Sequence, residues 1–152
     1  MTRATLSVVR DPAASCPFCR FEDPSVTVFS DQYVQAFISL QPINGWHVLI
    51  VPREHVERFA DIPVPVLVSV TMAAQAVSRA IEKAANPAGI TIITEDDFAD
   101  VGYNLIPHWK LHVIARYVDD AVKLEWGRNR ESGPATRSGA ASILRGELAR
   151  QR

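Results

Sequence analysis

Two histidines and a lysine occupy alternate positions in an apolar run, at His108, Lys110 and His112. If this run is a β-strand, all three side chains emerge from one face, while Trp109 and Leu111 pack on the other. A lysine amine can contact a phosphate, or can act as a nucleophile where burial or a neighbouring cation lowers its pKa. The spacing therefore predicts three nitrogen-bearing side chains on one face of a strand.

A second pair of reactive residues lies near the N-terminus, where Cys16 and Cys19 are separated by two residues. A gap of this length lets both sulfur atoms face one ion from a tight turn. In a reducing compartment such a pair is more often a metal or redox pair than a disulfide. The sequence predicts half of a zinc site, and the alternative is a reduced, metal-free pair.

The order of these motifs resembles the histidine triad (HIT) superfamily, in which three histidines alternate along a strand before two apolar residues. His108 and His112 match the first and third histidines, and Lys110 stands where the family has its middle, nucleophilic histidine. The resemblance covers about residues 15–117. It is carried by residues 16–19, 36–38, 45–56 and 108–116.

The resemblance implies a structural zinc ion. In zinc-containing members the ligands are the two cysteines, the histidine after the third strand and the first triad histidine, which correspond here to Cys16, Cys19, His55 and His108. A closed shell of four protein ligands leaves no open position for a reacting water, so such a zinc would stabilise the fold.

The resemblance also implies a nucleotide pocket, although several positions depart from the family pattern. Lys110 is either a covalent nucleophile or, as we favour, a cation in a vacated catalytic site, with His112 beside it. The expected catalytic positions of this degenerate site are Lys110 and His112. The expected nucleotide-binding residues are Ser39, His47, Asn104, Lys110 and His112, and the positions that differ from the family include Phe98, Ala99 and Tyr103.

Periodicity predicts the elements that must position these residues. Residues 26–30 and 33–40 form a predicted hairpin, 47–51 a third strand, and 89–94 and 108–117 two more. Residues 63–85 carry one apolar helical face. The fold class is therefore α+β, an antiparallel sheet of about five strands with one long helix and short helices. The resemblance adds a symmetric homodimer. The predicted helical face consists of Leu67, Val70, Ala74, Val77, Ile81 and Ala84.

Composition suits a compact soluble domain, since the 152 residues are 47% hydrophobic and 22% charged. The net charge of −1 gives no general attraction to nucleic acid or to membranes. The N-terminus lacks the apolar core of a secretory signal, and a cytoplasmic location is expected. We expect an N-terminal extension over residues 1–14, a HIT-like domain over 15–117, and a tail over 118–152 with a short helix at 140–150.

Three functions remain open from the sequence. The first is a protein that binds a nucleotide or another phosphorylated small molecule, with little or no hydrolase activity. The second is an active nucleotidyl hydrolase or transferase that uses Lys110, or a water activated by His112. The third is a zinc-stabilised dimer whose role is protein interaction. We favour the first because the nucleophilic position and several pocket positions differ from the family pattern.

Overall fold

A computed structural model describes residues 12–96, 105–122 and 134–151 of the chain. The chain divides into two compact units, Met1–Val122 and Lys123–Arg152. The elements of the first unit are helix α1 (Pro12–Ser15), strands β1 (Thr27–Ser30), β2 (Val34–Ile38) and β3 (His47–Pro52), a 3₁₀ turn (Phe59–Asp61), helix α2 (Val64–Ala85), and strands β4 (Gly89–Ile93) and β5 (Leu111–Arg116). The second unit contains helix α3 (Pro134–Arg150).

The five strands form one antiparallel sheet in the order β1-β2-β3-β5-β4. Strand β3 is central and its residues are all buried, as expected for a strand covered on both faces. Leu49 pairs with His112, and His47 is two residues from Leu49, so all three side chains share one face. The predicted α+β fold is confirmed, and the register brings two of the four histidines together.

Helix α2 covers the opposite face of the sheet. Its buried residues Val70, Ala74, Val77 and Ile81 pack into one apolar cluster with side chains of β3 and β5. The helix is long and apolar enough to cross a membrane, with a mean hydropathy of 1.5. Because one of its faces is buried against the sheet, however, it is placed as the core helix of a globular domain.

The predicted helical face is only partly correct. Ala84 is exposed, and Leu67 is only partly buried. The helix ends when Asn86 adopts a left-handed conformation with a φ of 44°, a conformation that terminates many helices. At the other end Pro63 is the capping residue, and Asp61 belongs to the preceding 3₁₀ turn.

Two predicted boundaries are also wrong. Strand β5 begins at Leu111 and not at His108, because the backbone N–H of Trp109 donates to the carbonyl oxygen of Val56 (2.6 Å), outside the sheet ladder. Helix α3 begins at Pro134, six residues before the predicted start. A proline is readily accommodated at the first helical position, where its missing N–H would have no partner within the helix.

Candidate functional site

The two cysteines and two of the histidines form one cluster. Cys16 and Cys19 lie in the turn after α1, His55 follows β3, and His108 precedes β5. One potential ligand atom from each of the four lies within 4.8 Å of all the others. The structure therefore brings together the four residues that the resemblance implies as zinc ligands, although they are separated by up to 92 positions in the chain.

The distances within this cluster suit a tetrahedral ion. Cys16 Sγ lies 3.3 Å from His108 Nδ1. Cys19 Sγ lies 3.4 Å from His55 Nδ1 and 3.5 Å from His108 Nδ1. With usual zinc bond lengths and a tetrahedral angle, a sulfur and a nitrogen ligand are about 3.6 Å apart. The side chains can thus hold such an ion with little rearrangement.

Both imidazoles are oriented for binding through Nδ1. His108 Nε2 donates to the carbonyl oxygen of Pro52 (3.0 Å), and His55 Nε2 lies 3.2 Å from a carboxylate oxygen of Glu57. A proton on Nε2 leaves the lone pair on Nδ1, the atom that faces the thiols. Burial lowers the pKa of His108 to about 4, so its ring is neutral and able to bind a metal at pH 7.

A cavity of about 420 Å³ lies on the sheet face opposite α2. Its walls are largely apolar, and Lys110, His47 and His112 bring nitrogen atoms to it. Such a combination suits a ligand with an apolar ring and a polar or charged group. The lining residues are Phe18, Phe37, Ser39, Leu40, Gln41, His47, Leu49, Leu105, Ile106, Lys110 and His112.

The two histidines of the cavity form a directional hydrogen-bonded chain. The backbone N–H of Ile43 donates to His47 Nδ1 (3.2 Å), so His47 carries its proton on Nε2. His47 Nε2 then donates to His112 Nδ1 (2.9 Å), which places the proton of His112 on Nε2. Burial lowers the pKa of His47, and burial lowers that of His112 to about 4. Both rings are therefore neutral near pH 7.

Lys110 lies between the cavity and the cysteine cluster. Its Nζ donates to the carbonyl oxygens of Ile106 and His108, each at 3.1 Å, and lies 5.5 Å from the centre of the Phe18 ring. Burial lowers the pKa of Lys110 to about 8, against the opposing attraction of Cys16 and Glu95. The amine is therefore still mostly protonated at pH 7.

The predicted single face of three nitrogens is only partly correct. Lys110 and His112 line the cavity, but the Nδ1 of His108 faces the thiols. Ser39 and His47 also line the cavity. Asn104, Phe98, Ala99 and Tyr103 lie outside the described residues.

Sequence reasoning missed the apolar walls of the cavity, and Phe18 in particular. Phe18 is buried between the two cysteines in sequence, and its ring meets the His108 ring edge to face at a centroid distance of 5.7 Å. It also packs against Phe37 at 5.8 Å. Its position inside the Cys-x-x-Cys motif was the available signal, because a turn that presents two ligands must also direct the residues between them.

Comparison with known proteins agrees with the resemblance seen in the sequence. Residues 20–119 match the model of the HIT domain family. An uncharacterized HIT-like protein of Saccharolobus solfataricus is 31% identical over 108 residues, which cover 69% of this chain and 76% of that protein. A bifunctional bis(5′-adenosyl)-triphosphatase/adenylylsulfatase of Arabidopsis thaliana is 27% identical (66% of this chain, 55% of the enzyme). An adenosine 5′-monophosphoramidase of Saccharomyces cerevisiae is 29% identical (54% of each).

Solved structures share the fold. A HIT family protein from Bacillus subtilis superposes with a TM-score of 0.78 at 22% identity, covering 87% of this chain and 96% of that one. A zinc-bound histidine triad family protein from Mycobacterium smegmatis superposes with a TM-score of 0.64 at 23% identity, covering 88% and 99%. At these identities the superpositions establish the architecture alone.

Proposed function

Since this chain belongs to the HIT domain family, we propose that it binds a nucleotide or another phosphorylated small molecule in the 420 Å³ cavity, with little or no hydrolysis. The observation that carries the proposal is the pairing of an apolar wall with a cationic end. Phe18, Phe37 and Leu49 provide surface for a base, and Lys110 brings a positive charge to the same cavity. Two relatives also support it, the bis(5′-adenosyl)-triphosphatase/adenylylsulfatase and the adenosine 5′-monophosphoramidase.

The geometry of Lys110 supports binding over catalysis. In the position that the resemblance assigns to the nucleophile, this chain has an amine that donates hydrogen bonds to two backbone carbonyl groups. A protonated amine has no lone pair with which to attack phosphorus, whereas a neutral imidazole has one. We therefore infer that Lys110 contributes charge to the pocket and not a covalent bond.

We further propose that Cys16, Cys19, His55 and His108 bind zinc. When bound, the metal would be structural, because four protein ligands complete its shell and no position remains to activate water. The ligands come from three separate segments, so they would tie the N-terminal turn to the sheet. The zinc-bound relative of known structure supports this assignment. Thiolate ligands persist best in a reducing compartment, which supports a cytoplasmic location.

The binding proposal is tested by thermal shift with AMP, ATP and a dinucleoside polyphosphate. A ligand that binds only the native state raises the melting temperature. At one hundred times its Kd it increases the free energy of unfolding by roughly 2.7 kcal/mol. We expect a shift in the wild type. Leu105→Glu should reduce it, because Leu105 is exposed at the cavity and the new carboxylate would repel phosphate.

The matched control is Val118→Glu, since Val118 is also highly exposed but does not line the cavity. This variant should respond to nucleotide as the wild type does. If no nucleotide shifts the wild-type melting temperature, the cavity is not a nucleotide site, and the protein-interaction function is favoured.

A homodimer is part of the proposal. Strand β4 is an edge of the sheet, and beside it lies a second cavity of about 470 Å³. Its lining includes Leu67 of α2, Ile92 of β4 and Leu111 of β5. Exposed apolar side chains on an unpaired edge favour association with a second copy. Light scattering at micromolar concentration should give twice the chain mass of 16.8 kDa.

Ile92→Lys should yield the monomer, because the charge would lie in the proposed interface. The control is Val28→Lys on the opposite edge strand, since Val28 and Ile92 are each 52% exposed. A wild type that remains monomeric at this concentration would contradict the assignment.

One observation favours a second function, a nucleotidyl transferase or hydrolase that uses Lys110. With its pKa lowered to about 8, roughly one tenth of Lys110 is neutral at pH 7. A neutral amine can attack the α-phosphorus. A nitrogen–phosphorus bond then forms, the bond to the leaving phosphate oxygen breaks, and the nitrogen releases a proton to water. Intact-mass spectrometry after incubation with ATP would reveal an adenylyl adduct that Lys110→Ala abolishes.

A further inference from the structure

One short segment contributes to both the cysteine cluster and the cavity. His108 faces the thiols of Cys16 and Cys19, and Lys110, two residues later, lines the cavity. Ile106 lines the cavity as well and also lines a smaller one, of about 240 Å³, beside Cys16 and His55. A displacement of this segment at one site must therefore change the other.

The cysteine turn contributes to both sites in the same way. Phe18 lies between the two cysteines and forms part of the cavity wall. Its ring contacts the His108 ring edge to face. The position of this wall therefore depends on how the two cysteines on either side of it are held.

Lys110 connects these two segments directly. Its ammonium group donates hydrogen bonds to the carbonyl oxygens of Ile106 and His108, the first and last residues of the 106–108 turn. It also lies over the ring of Phe18. Hydrogen bonds from an ammonium group are stronger than those between neutral groups, and a cation over an aromatic ring adds to them. The three contacts fix the 106–108 turn relative to the cysteine turn.

We propose that Lys110 is a positioning residue that couples the metal site to the cavity: it holds His108 in place for the metal and Phe18 in place for the ligand. The metal half of the proposal stands on the contacts of Lys110, and the ligand half rests on the proposed nucleotide function. Because coupling between two sites is reciprocal, bound nucleotide should tighten zinc binding by the same factor as bound zinc tightens nucleotide binding.

The first test measures zinc affinity by competition with a chromophoric chelator. Lys110→Met keeps an unbranched side chain that is one atom shorter but removes the charge and the donors. It should weaken zinc binding by roughly tenfold, within the usual range of coupling between sites. The control is Lys83→Met in the last turn of α2, because Lys83 is exposed and belongs neither to the cavity lining nor to the cysteine cluster. Equal zinc affinity in Lys110→Met and wild type would overturn the proposal.

The second test repeats the competition in the presence of saturating AMP. In the wild type we expect zinc affinity to rise by about fivefold or more, and in Lys110→Met we expect no change. The quantity compared is the ratio of zinc affinity with AMP to zinc affinity without it. If Lys110 only stabilised the fold, its replacement would lower the melting temperature without altering this ratio. A ratio that is the same in both proteins would overturn the coupling.

Two further arms keep the outcome decisive. If Lys110→Met does not fold, Phe18→Leu removes the ring that Lys110 contacts while keeping an apolar side chain, and it should abolish the AMP effect on zinc affinity. Retention of the full effect in that variant would contradict the proposal. If AMP does not bind the wild type at all, the nucleotide function fails, while the comparison of zinc affinities without AMP still decides the role of Lys110.

Discussion

Replacement of Cys16 by serine is expected to remove tightly bound zinc and to lower the melting temperature by on the order of 10 °C, which corresponds to roughly 3 kcal/mol in a domain of this size. Cys16 is only 5% exposed, and its sulfur faces His108 Nδ1 at 3.3 Å. A serine hydroxyl is a far poorer zinc ligand than a thiolate. Metal analysis and calorimetric melting of protein prepared without chelator measure the two losses together.

The chain offers a matched pair of histidine controls for this prediction. His55→Gln removes an imidazole of the cysteine cluster and should also lose zinc. His47→Gln removes an imidazole from the His47–His112 pair of the cavity, and zinc content should stay at one ion per chain. Wild-type protein that contains no zinc, or a Cys16→Ser protein that retains it in full, would contradict the zinc assignment.

The second large effect concerns turnover. We expect hydrolysis of an adenosine phosphoramidate or a dinucleoside polyphosphate to be near background, about 10⁴-fold or more below a relative with an imidazole at the position of Lys110. The reason is that the ammonium group of Lys110 has no lone pair and already donates hydrogen bonds to two carbonyl oxygens. Chromatographic product analysis under multiple-turnover conditions measures the rate.

Lys110→His should restore slight activity at most. An imidazole at this position would be able to attack, but Phe98, Tyr103 and other positions still differ from the family pattern. A shorter side chain would also lose the carbonyl contacts. Steady hydrolysis by the wild type that disappears in Lys110→Ala and persists in Lys83→Ala would overturn the expectation.

Local periodicity accounts for the part of the fold that was predictable from the sequence. Five strands and a long helix follow from local periodicity, which depends on neighbouring residues only. Local pattern failed at His108, where a backbone bond from Trp109 to Val56 replaces the sheet ladder. That bond joins residues 53 positions apart, and strand periodicity carries no information about it.

The candidate site, like the fold, has a part that could be predicted from the sequence and a part that depends on contacts between distant residues. The residues of the cysteine cluster were predictable because the resemblance assigns each a position, and the fold brings them together. The hydrogen bonds from Lys110 to two backbone carbonyl oxygens were not predicted, and neither was the placement of Phe18. Both depend on how the cysteine turn packs against the turn before β5. This packing also determines whether Lys110 is a nucleophile or a fixed cation, which the residue type alone leaves open.

Equilibrium dialysis of the zinc-loaded wild-type protein against a dinucleoside polyphosphate measures nucleotide binding and turnover together. The nucleotide on each side of the membrane is quantified and identified after equilibrium. If the protein binds nucleotide with little or no turnover, we expect an excess of intact dinucleoside polyphosphate on the protein side, saturating at about one molecule per chain. Equal concentrations on both sides, or conversion of the nucleotide to its hydrolysis products, would contradict it.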